Sequence, residues 1–99
     1  MPSKYYSIGT RDANEPEFLE FLQRANIKYI QLDKKAGADL LILLSPMEFW
    51  EIKNPKQPPN KRRLTGWEDK LLEHCQQVGI EYFIFEHVEQ AVERINRRV

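Results

Sequence analysis

Residues 40–44 read LLILL, directly after Asp39. Five apolar residues in unbroken succession are too few for a helix and match the length of a buried strand. A buried strand must be covered, so the rest of the chain has to supply a sheet and helices that pack against it. The chain has 99 residues, the size of one domain. A chain of that length buries roughly 60–70% of its unfolded surface, which allows one modest core. A hydrophobic content of 41% suits a globular fold rather than a disordered one.

The remaining segments fall around that strand in a readable order. Asn14 offers an N-cap, with Glu17 three positions later and Pro16 in the first turn. Phe18, Leu19, Phe21, Leu22 and Ala25 then mark one helical face, and Asn26 ends it in a left-handed conformation. Ile27–Leu32 is short and β-prone, and residues 34–37 turn the chain into LLILL. Ser45-Pro46 makes a tight turn, and Phe49–Lys53 is the next strand. The prolines of NPKQPPN exclude a helix there. Thr65 with Glu68 forms a capping box that opens a second helix. Its apolar stripe is Leu64, Trp67, Leu71, Cys75 and Val78, and Gly79 closes it. Ile80–Phe85 reads as a fourth strand. Val88, Ala91, Val92 and Ile95 mark a last helix. The expectation is an α/β fold in the order α-β-β-β-α-β-α. The first three strands form an antiparallel meander, and the fourth lies parallel to the third in one mixed sheet.

Within the third strand, WEIKNPK sets Glu51 and Lys53 two positions apart, on the face opposite Trp50 and Ile52. Their Cα atoms are about 6.6 Å apart along a strand. Counting outward from the Ser45-Pro46 turn brings Asp39 near Glu51 or Lys53, where opposed Cβ atoms lie about 4.5–5.5 Å apart. Two carboxylates so placed repel, and a divalent cation removes the conflict. Mg²⁺ takes one or two carboxylates, water and substrate phosphate. Such an ion polarises a phosphoryl oxygen, and a nearby ammonium orients water or stabilises the transition state. The chemistry indicated is phosphodiester hydrolysis. E-x-K by itself also describes an ordinary surface ion pair. What adds weight is Asp39 before the preceding strand and a basic loop directly after.

An aspartate and E-x-K on consecutive strands, within α-β-β-β-α-β, resemble the PD-(D/E)XK nuclease superfamily. The similarity is closest to its small phage and bacterial members of the VRR-NUC type. It runs over roughly residues 10–93 and rests on TRDANEPEFLEFLQRANIKYIQL, GADLLIL, WEIKNPKQPPNKRRLTGWEDKLLEH and IEYFIFEHVEQAVE. The resemblance implies a restriction-endonuclease-like αβββαβ core over about residues 14–97. It implies a Mg²⁺- or Mn²⁺-dependent DNA endonuclease with Asp39 and Glu51 as metal ligands and Lys53 as the catalytic lysine. The family often adds an acid from the first helix, here Glu17 first and Glu15 second, although both also suit the helix N-terminus. Glu68 falls where relatives carry Gln or Glu near the site, and its alternative is the capping box. Ala38 stands where relatives usually have proline.

Formal net charge is zero, yet five basic and no acidic residues lie between Lys53 and Arg63, so the other residues hold five more acids than bases. Lys56, Lys61, Arg62 and Arg63 are therefore candidate phosphate contacts, which position nucleic acid without reading its sequence. Arg94, Arg97 and Arg98 either add to them or complement a helix dipole. His74 and His87 lack metal-ligand spacing, Cys75 reads as packing, and Trp67 reads as core or a stacking platform. A single cysteine excludes an internal disulfide and a multi-cysteine metal site. No run of about 20 apolar residues is long enough to span a membrane. The absence of a signal-like N-terminus leads to the expectation of a cytoplasmic protein. Cutting both strands of a duplex with so small a domain leads to the expectation of a homodimer. The alternatives are a noncatalytic nuclease-like module that binds DNA or acts as a scaffold, and a plain interaction domain.

Overall fold

A computed structural model of the chain describes residues 13–98, apart from the side chain of Lys61. Its elements are helix α1 (Glu15–Arg24), strand β1 (Tyr29–Gln31), a 3-10 turn (Lys34–Ala36) and strands β2 (Leu40–Ile42) and β3 (Glu48–Ile52). A second 3-10 turn (Pro59–Lys61), helix α2 (Gly66–Val78), strand β4 (Glu81–Phe85) and helix α3 (Val88–Arg98) follow. This is an α/β fold with one mixed sheet in the order β1-β2-β3-β4. β1–β2 and β2–β3 pair antiparallel, because a link as short as Leu43–Met47 can only turn the chain back. β3–β4 pair parallel, because a helix separates them in sequence. The Ser45-Pro46 bond is cis. The lead-in expected over residues 1–13 lies, but for Ala13, outside the described residues. Among the described residues, no helix is long and apolar enough to cross a membrane.

Strand alternation divides the sheet into two unlike faces. Leu40, Ile42, Trp50, Ile52 and Phe85 point to one side and are buried with Phe18 and Leu22 of α1 and Ala91 and Ile95 of α3. The ring of Phe85 stacks on Phe18 and Phe83 and meets Trp50 edge-on at 5.1 Å. The other face carries Leu41, Phe49, Glu51, Tyr82 and Ile84 and is partly covered by α2, which packs on β4 and the first 3-10 turn and leaves Ile84 exposed.

Three expectations change. The LLILL strand is only three residues long. Leu43 turns its N–H to the Lys28 carbonyl and is exposed, since α2 lies over β4 and leaves this end of β2 uncovered. Asn14 does not cap α1 with its side chain. Its Nδ2 instead donates to the carbonyls of Lys53 (3.1 Å) and Glu86 (2.9 Å), tying α1 to the ends of β3 and β4. On α2, Cys75 is buried, but Trp67 and Val78 are exposed. The inward line runs through Glu68, Leu71, Leu72 and Cys75, and Trp67 is turned about 100° away from its neighbour Glu68. Thr65 and Glu68 form the expected reciprocal cap, and Gly79 closes the helix at φ 80°.

Arg94 and Arg98 are spoken for. Glu48 is fully buried on the α3 side of β3. It accepts from Arg94 (2.8 Å), Arg98 (2.7 Å) and the Trp50 indole (2.6 Å). Arg94 also lies 4.4 Å above the Phe83 ring. Burial disfavours the Glu48 charge, but the hydrogen bonds from Arg94, Trp50 and Arg98 outweigh it and hold the carboxyl below its usual range. A depressed folded-state pKa stabilises the fold above the unfolded value of 4.5 and ceases to do so as pH falls through the folded value. Glu48→Gln is expected to destabilise the fold by about 2–3 kcal/mol at pH 7 in urea unfolding, because two guanidiniums lose their counter-charge. The gap between variant and native protein should close as pH drops below 4.5.

Candidate active site

The β2–β3 register pairs Leu40 with Trp50, and the Asp39 N–H donates to the Trp50 carbonyl at 3.1 Å. One step further along the ladder, Asp39 stands across from Glu51. Its side chain then substitutes for a ladder carbonyl: Oδ2 accepts from the N–H of Ile52 at 2.8 Å. Ile52 is the residue between Glu51 and Lys53, so the aspartate is moored to the E-x-K segment itself. The N–H of Lys53 continues the pairing with β4 through the Phe85 carbonyl at 2.8 Å. Gly37, at φ 95°, turns the chain into Asp39 and receives the Tyr82 hydroxyl on its carbonyl at 2.7 Å. A side chain at Gly37 would lie 2.6 Å from the Trp67 carbonyl oxygen, so this turn also seats the start of α2.

Glu51 is 3% exposed and Lys53 is 7% exposed. The Lys53 ammonium lies 3.1 Å from Glu51 Oε2 and 2.8 Å from Glu68 Oε1. Burial, then the charge of Asp39 and the contact with Glu68, push the Glu51 carboxyl up to about 10, against the pull of Lys53. Burial also opposes the Glu68 charge, but hydrogen bonds from Lys53, the Thr65 N–H and Glu51 outweigh it, so Glu68 lies below the usual carboxylate range. For Lys53 burial favours the neutral amine, yet the hydrogen bond to Glu68 and the charges of Glu51 and Glu68 raise its pKa. The lysine is an ammonium here and is no base.

Asp39, Glu51 and Lys53 therefore come together as the sequence suggested. Glu68 joins them, and its two proposed roles prove to be one: the oxygen that accepts from the Thr65 N–H (2.8 Å) also accepts from Lys53. The T-x-x-E pattern signalled the cap; nothing in the spacing signalled the lysine contact. Glu17 is exposed and lines a cavity of about 410 Å³ with Asn54, Lys56, Glu86 and His87. The structure does not bring it to Asp39 and Glu51, because Asn14 fixes α1 so that this turn faces the loop after β3. Glu15 is buried and directed toward β1, where Gln31 donates to it at 3.3 Å. Of the basic candidates, Lys56 and Arg63 are exposed, whereas Arg62 is half-buried and paired with Glu86 at 3.2 Å. Lys61 is outside the described side chains.

Among the described residues, no three His, Cys, Asp or Glu side chains gather as a closed metal site. Asp39 and Glu51 remain as a pair of hard oxygen ligands, the kind of set that Mg²⁺ or Mn²⁺ takes together with water. Burial raises the Glu51 pKa most and repulsion from Asp39 next; a divalent cation bound by both carboxylates would relieve the repulsion. The donor set fits such an ion. Compared with known families, curated proteins and solved structures, the chain matches none.

Thr65→Ala removes one helix-capping bond and is expected to destabilise by about 1 kcal/mol. Glu68→Ala removes the other half of the cap together with the Lys53 anchor and should be worse, at about 2 kcal/mol. Urea unfolding at neutral pH ranks the two.

Proposed function

We propose that the chain is a Mg²⁺- or Mn²⁺-dependent DNA endonuclease with a restriction-endonuclease-like core, akin to the small VRR-NUC-type members of the PD-(D/E)XK superfamily. The observation that carries the proposal is the Asp39–Ile52 hydrogen bond, which sets a carboxylate beside Glu51 and Lys53 on one face of the sheet. Support also comes from the mixed sheet with a helix between β3 and β4, and from exposed Lys56 and Arg63 in the segment that follows the site.

Asp39 and Glu51 would hold the ion. When bound, it supplies polarisation of a phosphoryl oxygen and activation of a water. The chain's own chemistry lies in Lys53. Its ammonium is already protonated and partly desolvated, so it stabilises the extra negative charge that the phosphoryl oxygens acquire as water adds. Glu68 acts as a positioning residue that keeps Nζ at the site end of β3. Lys56 and Arg63 neutralise phosphates along the approach and give binding a salt dependence.

Plasmid, branched and single-stranded DNA incubated with Mn²⁺ should be cleaved, and EDTA should abolish cleavage. Lys53→Ala is expected to lower the rate about 10²–10³-fold, the usual loss for one preorganised charge donor. Asp39→Ala should do at least as much. If the wild-type protein binds DNA in a salt-dependent, EDTA-insensitive manner and cuts none of these substrates, the nuclease proposal fails and a noncatalytic DNA-binding module replaces it.

A homodimer belongs to the same proposal, since cutting both strands of a duplex calls for two sites related by a two-fold axis. Light scattering at micromolar concentration should give twice the 11.8 kDa chain mass, and a monomer would exclude this part.

A further inference from the structure

Among the described residues, seven large apolar side chains are exposed: Ile30, Leu43, Met47, Trp67, Val78, Ile80 and Ile84. Leu43, Met47, Val78 and Ile80 lie at the end of the sheet where β3 and β4 begin, away from Asp39 and Lys53. Ile30 is on the edge strand β1, and Ile84 is on β4, across from Glu51. Trp67 is the largest of them. It is 56% exposed, in the first turn of α2. Its carbonyl packs on Gly37, two residues before Asp39, and the next residue, Glu68, holds Lys53. The residue thus sits between the two segments that build the cluster, with its indole in solvent. Arg63, four residues earlier in the chain, is exposed, as is Lys56 in the loop after β3.

A helix that needed only apolar cover for the sheet would turn its largest side chain inward. Here Leu71, Leu72 and Cys75 cover the sheet, Glu68 takes the inward place beside the site, and the indole is left in solvent. An exposed, flat aromatic face is the recurring platform for nucleobases, which stack on it whatever their identity. Bases inside a flush duplex are already stacked on one another and present no face.

We infer that Trp67 is a stacking platform for an unpaired base next to the scissile phosphate, so the site takes DNA with a single-stranded segment. Trp67 has this role only beside a DNA site, as proposed above. The test therefore separates stacking from cleavage.

The chain has two tryptophans, and Trp50 is fully buried with its indole bonded to Glu48, so quenching by added DNA reports on Trp67. The protein is titrated at low salt, in EDTA, with a single-stranded oligonucleotide of about 15 nucleotides, a length one such site spans. The same titration is run with an abasic strand of equal length and with a flush duplex. Quenching is expected with the base-bearing strand and not with the abasic one. By anisotropy of a labelled strand, Trp67→Ala should weaken single-strand binding about tenfold, the loss typical of one stacked base. Trp67→Phe should keep most of the affinity, and duplex binding should be unchanged in both. Circular dichroism verifies that the variants fold, as expected for a side chain in solvent.

No quenching overturns the inference. So does an equal loss on flush duplex, or a self-association that Trp67→Ala abolishes while DNA affinity stays the same. Quenching without any Mn²⁺-dependent cutting leaves Trp67 as a platform and removes the nuclease. Cutting of single-stranded and branched DNA that is indifferent to Trp67→Ala removes the platform alone.

Discussion

The hydrogen bond from the Ile52 N–H to Asp39 Oδ2 is the constraint around which the polar side of this protein is arranged. A backbone donor in the middle of E-x-K takes a side-chain acceptor from the neighbouring strand. Asp39 therefore cannot leave the ladder without orphaning a donor, and a buried orphan is costly. That tether commits the carboxylate to the neighbourhood of Glu51, where burial and like charge raise the cost of a second anion. Lys53 and Glu68 then become necessary, as counter-charge and as the hydrogen-bond partner that keeps the counter-charge in place. Asn14 completes the fixture by fastening the carbonyls at the ends of β3 and β4 to α1.

β3 carries two buried glutamates, and their contrast separates support from chemistry. Glu48 faces α3 and meets two guanidiniums and an indole N–H, so its charge is fully compensated. It acts as a fastener between the sheet and the last helix. Glu51, three residues on and facing the other way, is raised well above the usual carboxylate range, by burial first and then by Asp39 and Glu68, against the pull of Lys53. Structures tolerate a conflict of that kind at places where a ligand resolves it, and strongly perturbed groups concentrate at functional sites for that reason. One five-residue strand thus serves the core on one side and the site on the other, because its side chains alternate.

Much of this arrangement could be read in the chain. The turn at Ser45-Pro46 and the brevity of the β2–β3 link set the register that puts Asp39 opposite Glu51. The T-x-x-E box and Gly79 marked both ends of α2. The acid from the first helix was not legible, because Glu15 and Glu17 have identical local chemistry, and the seating of α1 depends on Asn14 reaching strands 39 and 72 residues away. The same limit applied to the basic residues. Arg62, Arg94 and Arg98 look free in a charge count, yet each has a carboxylate partner 24 or more residues distant.

The sequence by itself determined what periodicity and short-range geometry control: the order of helices and strands, the alternation within β3, and the meeting of an aspartate with a glutamate–lysine pair across a short turn. Tertiary structure alone decided what each charged or aromatic side chain faces once the layers are stacked. The seating of α2 on the Gly37 turn sends Glu68 inward to Lys53 and leaves Trp67 in solvent, although a helical wheel gives the tryptophan a place on the apolar stripe. Local pattern specifies which face of an element is apolar, but burial and ion pairing are fixed by atoms far along the chain, whose positions exist only after the sheet and helices have packed.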